Sequence, residues 1–485
     1  VEANPGTEVT GIAYDSRRVQ AGNIFVAIKG AHYDGTRFVG EAQARGAVAV
    51  AAEEPLALPP GLGLITAPNV RAALGEMAAA LLGDPSEHLR LIGVTGTDGK
   101  TTTCRLIAAL LAASGRKTGW FTTVDLGIGE TIEPNPFGRT TPEASDLQQI
   151  LARFVGEQVE DAVIEVSSHA LALDRVAGCT FDAAVFTNLA PEHLDFHGSL
   201  EAYTAAKAHL FELLGTPTGK RWSRMGVVNA DDPASLAIAT SSPAGIVSYA
   251  LENAADVTAR QLDLSMTESR FTLVTPLGEA RVSTRLVGRH NVMNWLAATA
   301  VGLGWGIDLA MIADAAESVD LPPGRLQFIR RGQPFDLVID FAHTPQAMST
   351  MLDLLRENTR GRLYLLFGLA GHRDASNRLT MGAIATAKTD FFVISTDDPE
   401  DEDPAAIAGA IASGARAAGA KEGRDYIVEL NRQTAIREVM GRAHSGDVVL
   451  LAGKGHEQRM LLASGPQAWS DETEAVQALH GLGYD

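Results

Sequence analysis

The sequence predicts an α/β protein in three parts, and three observations carry that prediction. Strand-length apolar runs alternate with helical patterns, most regularly over the last third of the chain. At residues 89–113 an apolar strand runs into a glycine-rich turn and then directly into a helix. Two breaker clusters, Gly83-Asp-Pro-Ser86 and Leu321-Pro-Pro-Gly324, punctuate the chain. The 485 residues also exceed what one core fills, since domains usually hold about 100–200 residues. Domains are therefore expected at 1–87, 88–324 and 325–485.

In the first part, apolar runs at 23–28 and 47–51 read as strands and the Ala/Leu-rich stretch 70–82 as a helix. The second part opens with a strand at 89–95 and a helix at 101–113, followed by strands at 161–166 and 183–188. A helix at 203–214 and short strands at 227–229 and 246–249 come next. Alternation at 270–275 and 279–286 suggests a hairpin. In the third part, buried-strand runs at 335–340, 363–368, 391–395 and 448–453 alternate with helices at 344–357, 378–387, 404–417 and 432–442. That alternation implies parallel strands covered by helices.

Composition narrows the function. Hydrophobic residues at 46% and charged residues at 20% describe an ordinary globular chain rather than a disordered one. Forty Lys and Arg stand against 59 Asp and Glu, a formal charge of −19, which argues against nucleic acid or an anionic membrane as partner. Two cysteines, Cys104 and Cys179, cannot build a disulfide framework or a four-thiolate zinc site. No uninterrupted apolar run approaches the roughly 20 residues that cross a bilayer, and the first residues lack the pattern of a signal peptide. A cytoplasmic monomer is expected.

The strongest local signal is Leu91-Ile-Gly-Val-Thr-Gly-Thr-Asp-Gly-Lys-Thr-Thr-Thr103. Gly96 and Gly99 let backbone N–H groups close around phosphate oxygens, and the helix N-terminus favours negative charge. Lys100 neutralises phosphate, and the Thr101 hydroxyl is placed to ligate Mg²⁺. Thr97, Asp98 and Thr102 complete the loop. The stretch departs from a literal Walker A pattern, because Val94 stands five residues before Gly99. A triphosphate bound here needs further cations and oxygen ligands for Mg²⁺. Candidates follow in order: Glu165 and Ser167 near the end of a buried strand, His193 on a loop, and Lys207 in a helix. Singly each is weak.

Together, GTDGKTTT, EVSSHALALDRV, TNLAPEHLDFHGSLEAYTAAKAHLF, GRHNVMNWLAA and DFAHTP resemble the Mur ligases, ATP-dependent amide-forming enzymes of peptidoglycan synthesis. Tyr14-Asp-Ser-Arg17, Gly22-Asn-Ile-Phe-Val-Ala-Ile-Lys-Gly30 and Asp34-Gly35 resemble the MurE branch, which adds the third amino acid. The resemblance covers nearly the whole chain. It implies a small N-terminal α/β domain for the UDP-sugar, a central P-loop-type ATPase domain with a mostly parallel sheet, and a C-terminal Rossmann-like domain for the amino acid. It further implies that Thr101 and Glu165 hold one Mg²⁺ and His193 a second, and that Lys207 is carbamylated by CO₂. With Lys100, the residues Glu165, His193 and Lys207 form the implied catalytic set. Asn291, Asn294, Arg325, Asp340 and His343 match the nucleotide site. Ser16, Thr140, Thr141, Ser167 and Arg175 match contacts to UDP-N-acetylmuramoyl-L-Ala-D-Glu, although Leu173 stands where many relatives carry a polar residue. Arg373, Gly453 and Glu457 match the amino-acid site.

One departure bears on specificity. MurE enzymes specific for meso-diaminopimelate carry an Asp-Asn-Pro-Arg motif whose arginine meets the ligand's second carboxylate. Here the stretch reads Asp397-Asp-Pro-Glu400, followed by Asp401. Replacing a bidentate cation by a carboxylate is not conservative. Asp397, Asp398, Glu400 and Asp401 favour a side-chain ammonium instead, so lysine or ornithine is expected. These differ by one methylene, about 0.8 kcal/mol of burial, and both stay open. If Glu400 faces solvent, another arginine such as Arg378 is free to receive diaminopimelate. Beyond a diaminopimelate-adding enzyme, the alternatives are a folylpolyglutamate-synthetase-like ligase and a catalytically silent nucleotide-binding regulator. The Asp-Ser-Arg block disfavours the first, and the metal-directed residues disfavour the second.

Overall fold

The structure, a computed structural model, describes residues 8–30, 34–265, 268–319, 323–372 and 375–484. Near the N-terminus, β1 (Gly11–Ala13), β2 (Asn23–Val26), β3 (Ala49–Ala52) and β4 (Gly63–Thr66) pair in that order as a four-stranded parallel sheet. Helices α1 (Val39–Ala44) and α2 (Val70–Leu81) complete this unit. Asn69 starts α2 by accepting from the Arg71 and Ala72 amides, satisfying two of the helix's orphan donors. The cluster Gly83–Ser86 turns the chain through a left-handed Asp84 and a 3-10 turn at Pro85–His88.

Eleven strands form the central sheet: β5 (Arg90–Thr95), β6 (Thr118–Phe121), β7 (Asp125–Ile128), β8 (Thr131–Pro134), β9 (Asp161–Glu165), β10 (Ala183–Phe186), β11 (Met225–Asn229), β12 (Gly245–Ala250), β13 (Val257–Leu264), β14 (Ser269–Thr275) and β15 (Gly278–Thr284). Their order is β15-β14-β13-β12-β11-β10-β5-β9-β6-β7-β8. The strands from β13 to β6 run parallel, and an antiparallel pairing extends each edge. Side chains alternate between two cores, as a parallel sheet covered on both faces requires. Ile92, Val94, Val163 and Val185 pack under α3 (Lys100–Ala113), while Leu91, Ile164, Ala184 and Phe186 pack on the opposite face with Leu147 and Phe154 of α4 (Ala144–Gly156). The remaining helices are α5 (Ser168–Ala172), α6 (Leu194–His197), α7 (Leu200–Glu212), α8 (Ser235–Thr240), α9 (Arg289–Gly304) and α10 (Leu309–Ser318).

The C-terminal part is a second, separate sheet. It comprises β16 (Gln327–Ile329), β17 (Asp336–Asp340), β18 (Leu363–Phe367), β19 (Phe391–Ile394), β20 (Tyr426–Val428) and β21 (Val448–Ala452) in the order β16-β17-β21-β18-β19-β20. All but β16 are parallel. Helices α11 (Pro345–Asn358), α12 (Ser376–Lys388), α13 (Pro404–Ala417), α14 (Arg432–Gly441) and α15 (Asp471–Gly481) cover it, and β22 (Arg459–Leu462) pairs with β23 (Gly465–Ala468) as a hairpin. Threonine 344 and Asp403 cap α11 and α13 immediately before a proline that suits the first turn.

The expected α/β class and its mostly parallel central sheet are present, and the expected hairpin is β14–β15. The sequence reading missed β1, β4, β6–β8, β13, β16, β20 and β22–β23, which, apart from the longer β13, are three- or four-residue strands with weak alternation. Leu321 and Pro322 of the second breaker cluster lie outside the described residues. Among the described residues, no helix is long and apolar enough to cross a membrane.

Backbone contact joins the N-terminal unit to the central one. A Cβ on Gly75 of α2 would penetrate the Ala177 carbonyl, and the Gly178 turn lies equally close to Gly75. Gly75→Ala gains up to about 1 kcal/mol of helix propensity, but the clash is with backbone and costs about 1–3 kcal/mol. Net destabilisation in urea unfolding is the expected result.

Candidate active site

Strand β5 ends at Thr95 and α3 begins at Lys100, so four residues make the whole turn. Gly96 (φ 147°) and Gly99 (φ 82°) occupy backbone regions that other residues avoid. A Cβ on Gly99 would lie 2.6 Å from Asn294 Oδ1. The turn is also clamped from β10: the Asp98 amide donates to Asn188 Oδ1 at 2.9 Å, and Thr187 Oγ1 donates to the Asp98 carbonyl at 2.6 Å. The first N–H groups of α3, which have no partner within the helix, are thereby aimed at the mouth of the loop.

Two lysine side chains meet at this turn. Lys100 Nζ donates to the Thr97 carbonyl at 2.8 Å and the Gly96 carbonyl at 3.1 Å. Lys207 Nζ, buried on α7, donates to that same Gly96 carbonyl at 2.6 Å and lies 4.3 Å from the Tyr203 ring centre. Burial, with Lys100 beside it, drives the Lys207 amine far below the usual lysine range. On the other side of β5, Glu165 ends β9 as the register partner of Val94. Its buried carboxylate accepts only from the Thr123 amide (3.1 Å) and hydroxyl (2.9 Å), and no ion pair to it forms among the described residues. A buried carboxylate held by neutral donors alone is costly. A carboxylate, the Thr101 hydroxyl and a phosphate-binding turn fit Mg²⁺, which takes one or two protein oxygens plus phosphate oxygens and retains water.

His193 lies on the loop after β10. It adopts a left-handed conformation (φ 55°) before α6, with its ring 4.6 Å from that of His169 and 6.4 Å from that of Tyr203. Glu192, absent from the expected site residues, bridges two parts of the chain. Its Oε1 lies 3.6 Å from His193 Nε2 and 3.8 Å from His343 Nε2. Although burial opposes it, His343, His193 and Lys100 hold the Glu192 carboxyl well below its ordinary range. Burial likewise opposes protonation of His343, yet Glu192 raises it.

The other expected nucleotide residues converge here. Arg325 Nη2 is 3.5 Å from Thr101 Oγ1, and its guanidinium lies over Phe341. Asp340 is buried and accepts from the Leu326 and Ala342 amides at 2.7 and 2.8 Å, so it braces the strand leaving Arg325. Asn294 receives the Thr103 hydroxyl and is itself bonded to Asn291, which anchors to the Val287 carbonyl. Thr102 is buried beside them in the first turn of α3. Four of the five residues expected at the UDP-substrate cluster around Glu165. Thr141 Oγ1 donates to the Glu165 carbonyl (2.9 Å) and accepts from the Ser167 amide (3.1 Å), Thr140 accepts from Thr123, and Arg175 donates to the Thr141 carbonyl. Ser16, in the N-terminal unit, donates to Glu41 at 2.9 Å.

In the C-terminal sheet, Asp397 and Asp398 follow β19 while Gly453 and Lys454 follow β21, two strands away. Lys454 was not anticipated, although it lies within the Gly453–Glu457 motif. Its buried ammonium bonds Asp398 (2.7 Å) and Glu457 and lies 3.6 Å from Asp397. These three carboxylates are the one group with metal-ligand spacing among the described residues, but Lys454 already serves them as cation. Burial raises Glu457 to about 7, because one ammonium does not offset three acids. Gly453 (φ 101°) permits the approach, since a Cβ there would sit 2.5 Å from Asp397 Oδ2. Glu400 instead lines a cavity of about 720 Å³ with His372, Asp401, Leu461 and Pro466. Arg378 is committed to Glu402 at 2.9 Å. Arg373 lies outside the described residues.

Comparisons with known proteins agree with this architecture. Residues 8–83 match "Mur ligase family, catalytic domain", 94–302 match "Mur ligase middle domain", and 324–455 match "Mur ligase, glutamate ligase domain". A UDP-N-acetylmuramyl-tripeptide synthetase from a Roseiflexus species is 41% identical, over 98% of this chain and 96% of that one. A UDP-N-acetylmuramoyl-L-alanyl-D-glutamate--2,6-diaminopimelate ligase from Geobacillus kaustophilus is 39% identical over the same shares. A solved structure of an enzyme with that second name superposes with a TM-score of 0.69 at 32% identity, covering 98% of this chain and 96% of its own.

The tightness of the turn yields a direct test. A Cβ at Gly96 would overlap the Thr187 hydroxyl that clamps Asp98. Gly96→Ala should weaken ATP binding by at least about tenfold, a loss of roughly 1.4 kcal/mol, with the circular dichroism spectrum unchanged. Wild-type affinity for a fluorescent ATP analogue in this variant would show that the turn does not hold phosphate.

Proposed function

The chain belongs to the Mur ligase family, and we propose that it joins a free amino acid to UDP-N-acetylmuramoyl-L-Ala-D-Glu, adding the third residue of the peptide. Members of the family are ATP-dependent, peptide-forming ligases. The observation that carries the reading is the arrangement at the turn: Lys100 and Lys207 on one carbonyl, with a buried Glu165 across β5 that has no cation partner among the described residues.

A carboxylate does not acylate an amine at neutral pH, because oxide would have to leave. In the proposed reaction an oxygen of the D-Glu γ-carboxylate attacks the γ-phosphorus of ATP in line, and ADP departs. The uncharged amine then attacks the acyl carbon, and phosphate leaves the tetrahedral intermediate as the nitrogen loses its proton. Lys100 and the α3 N-terminus offset charge on the transferring phosphoryl group. Arg325 and His343, brought in from the C-terminal part, close the site and keep water from the acyl phosphate. Thr101, Glu165 and His193 would hold Mg²⁺, which supplies Lewis-acid stabilisation of phosphoryl oxygens.

Lys207 supports the carbamate reading on physical grounds. A protonated Lys207 is buried beside a second cation, whereas its neutral amine can add to the carbon of CO₂ and release a proton. The resulting anion would turn repulsion by Lys100 into attraction. Lys207→Ala should lower turnover by about 10–100-fold, as loss of groups supporting a metal site does, while ATP affinity stays within a few-fold. Full turnover in this variant would remove the role.

For the amino acid we propose a basic monocarboxylic side chain, lysine or ornithine. Glu400 and Asp401 line the cavity, Arg378 is engaged by Glu402, and Lys454 leaves an excess of carboxylates. The 39%-identical relative named for diaminopimelate represents the competing choice. An ATP-dependent ligation assay should rank lysine or ornithine above diaminopimelate, and phosphate release should require both the amino acid and the UDP-substrate. Glu400→Arg, adding a charge-assisted pair of about 1.5–3 kcal/mol, should shift relative kcat/KM toward diaminopimelate by at least about tenfold. Wild-type preference for diaminopimelate would overturn the assignment.

A further inference from the structure

Arg432, the first residue of α14, carries a guanidinium with no solvent exposure and four bonds. Two go to one carboxylate: Nε and Nη2 donate to Asp471 at 2.8 and 2.6 Å. The others go to main-chain carbonyls, Ala452 at 2.9 Å from Nη2 and Thr396 at 3.4 Å from Nη1. Asp471, equally buried, opens α15 and also accepts from the Trp469 indole N–H at 2.8 Å.

The two carbonyls are not arbitrary. Thr396 immediately precedes Asp397 and Asp398, and Ala452 immediately precedes Gly453 and Lys454. These segments leave β19 and β21, which are separated by β18. One planar, five-donor group thus spans an intervening strand and ties together the loops whose side chains meet at Lys454. Its charge also favours the ionised form of Asp397, against which burial works. A helix pair could be joined by an apolar contact. A buried ion pair aimed at the two carbonyls before an acid–ammonium cluster is a costly way merely to attach a helix, because hydrophobic replacements are often as stable or better.

We infer that Arg432, held by Asp471, which Trp469 braces in turn, is a positioning residue for the amino-acid site; this rests on the reading of that site given above. Arg432 touches no proposed substrate position and acts through the Asp397–Asp398 and Gly453–Lys454 segments. The C-terminal helix is thereby coupled to substrate selection rather than to ATP use.

The test is steady-state kinetics of the full-length enzyme with each substrate varied in turn. Arg432→Gln should raise the KM for lysine or ornithine at least tenfold, leaving the KM for ATP and for the UDP-substrate within twofold. Arg432→Lys, which keeps the charge but loses the fork, should fall between. Trp469→Phe removes a single hydrogen bond and should raise the amino-acid KM two- to fivefold in a folded protein, so the test survives if Arg432→Gln does not fold. A lower melting temperature with all three KM values unchanged, or an equal rise in all three, would overturn the inference. Wild-type enzyme that ligates no amino acid would overturn the parent reading instead.

Discussion

The rest of the site depends on charges that the protein buries without balancing. Glu165 is enclosed with two donors from Thr123 and no cation among the described residues, while Lys100 and Lys207 share the Gly96 carbonyl. Glu165 and Lys207 are shut away from water, at a cost in free energy, and on the proposed reading anionic phosphate and a divalent cation would relieve it. The same sheet that creates the cost also fixes the geometry. Glu165 and the turn are placed by adjacent parallel strands, β9 and β5, and Thr187 and Asn188 by β10 on the other side. The candidate site therefore lies beyond the carboxyl ends of the strands, where open parallel sheets bind their ligands.

Convergence of the three parts follows from this arrangement. Tyr14 and Arg18 in the N-terminal unit reach Asp146 of α4, close after Thr140 and Thr141. Arg325 and His343 bring the C-terminal part to Thr101 and Glu192. These four contacts are polar, whereas Ala144 also packs into the apolar core of the N-terminal unit. A chain of net charge −19 needs such local cationic groups to hold an anion at all.

Much of this was legible in the sequence. The loop Gly96–Thr101 announces itself, because glycines, lysine and threonine between a strand and a helix have few other uses, and its resemblance led to Asn291, Asn294, Arg325 and His343. What stayed hidden has physical causes. Glu192 looks like a surface acid beside His193 until the chain folds His343 against it. Lys454 was passed over between the two residues recognised at its site, although its ammonium satisfies Asp398. The expected cluster of four free acids is thus divided: Asp397 and Asp398 serve Lys454, while Glu400 and Asp401 border the cavity. Strands β22 and β23, which form part of that cavity's wall, are too short for their periodicity to register. Arg432 gave no sign at all, since a lone arginine at a helix start is ordinarily solvated.

The central claim is that buried charge makes a carboxylate transfer one of its oxygens to phosphate before nitrogen arrives. Following a heavy-oxygen label from the D-Glu γ-carboxylate tests it directly. If an acyl phosphate forms, each phosphate released alongside a new amide carries one oxygen from that carboxylate. Amide formation with unlabelled phosphate would contradict the mechanism.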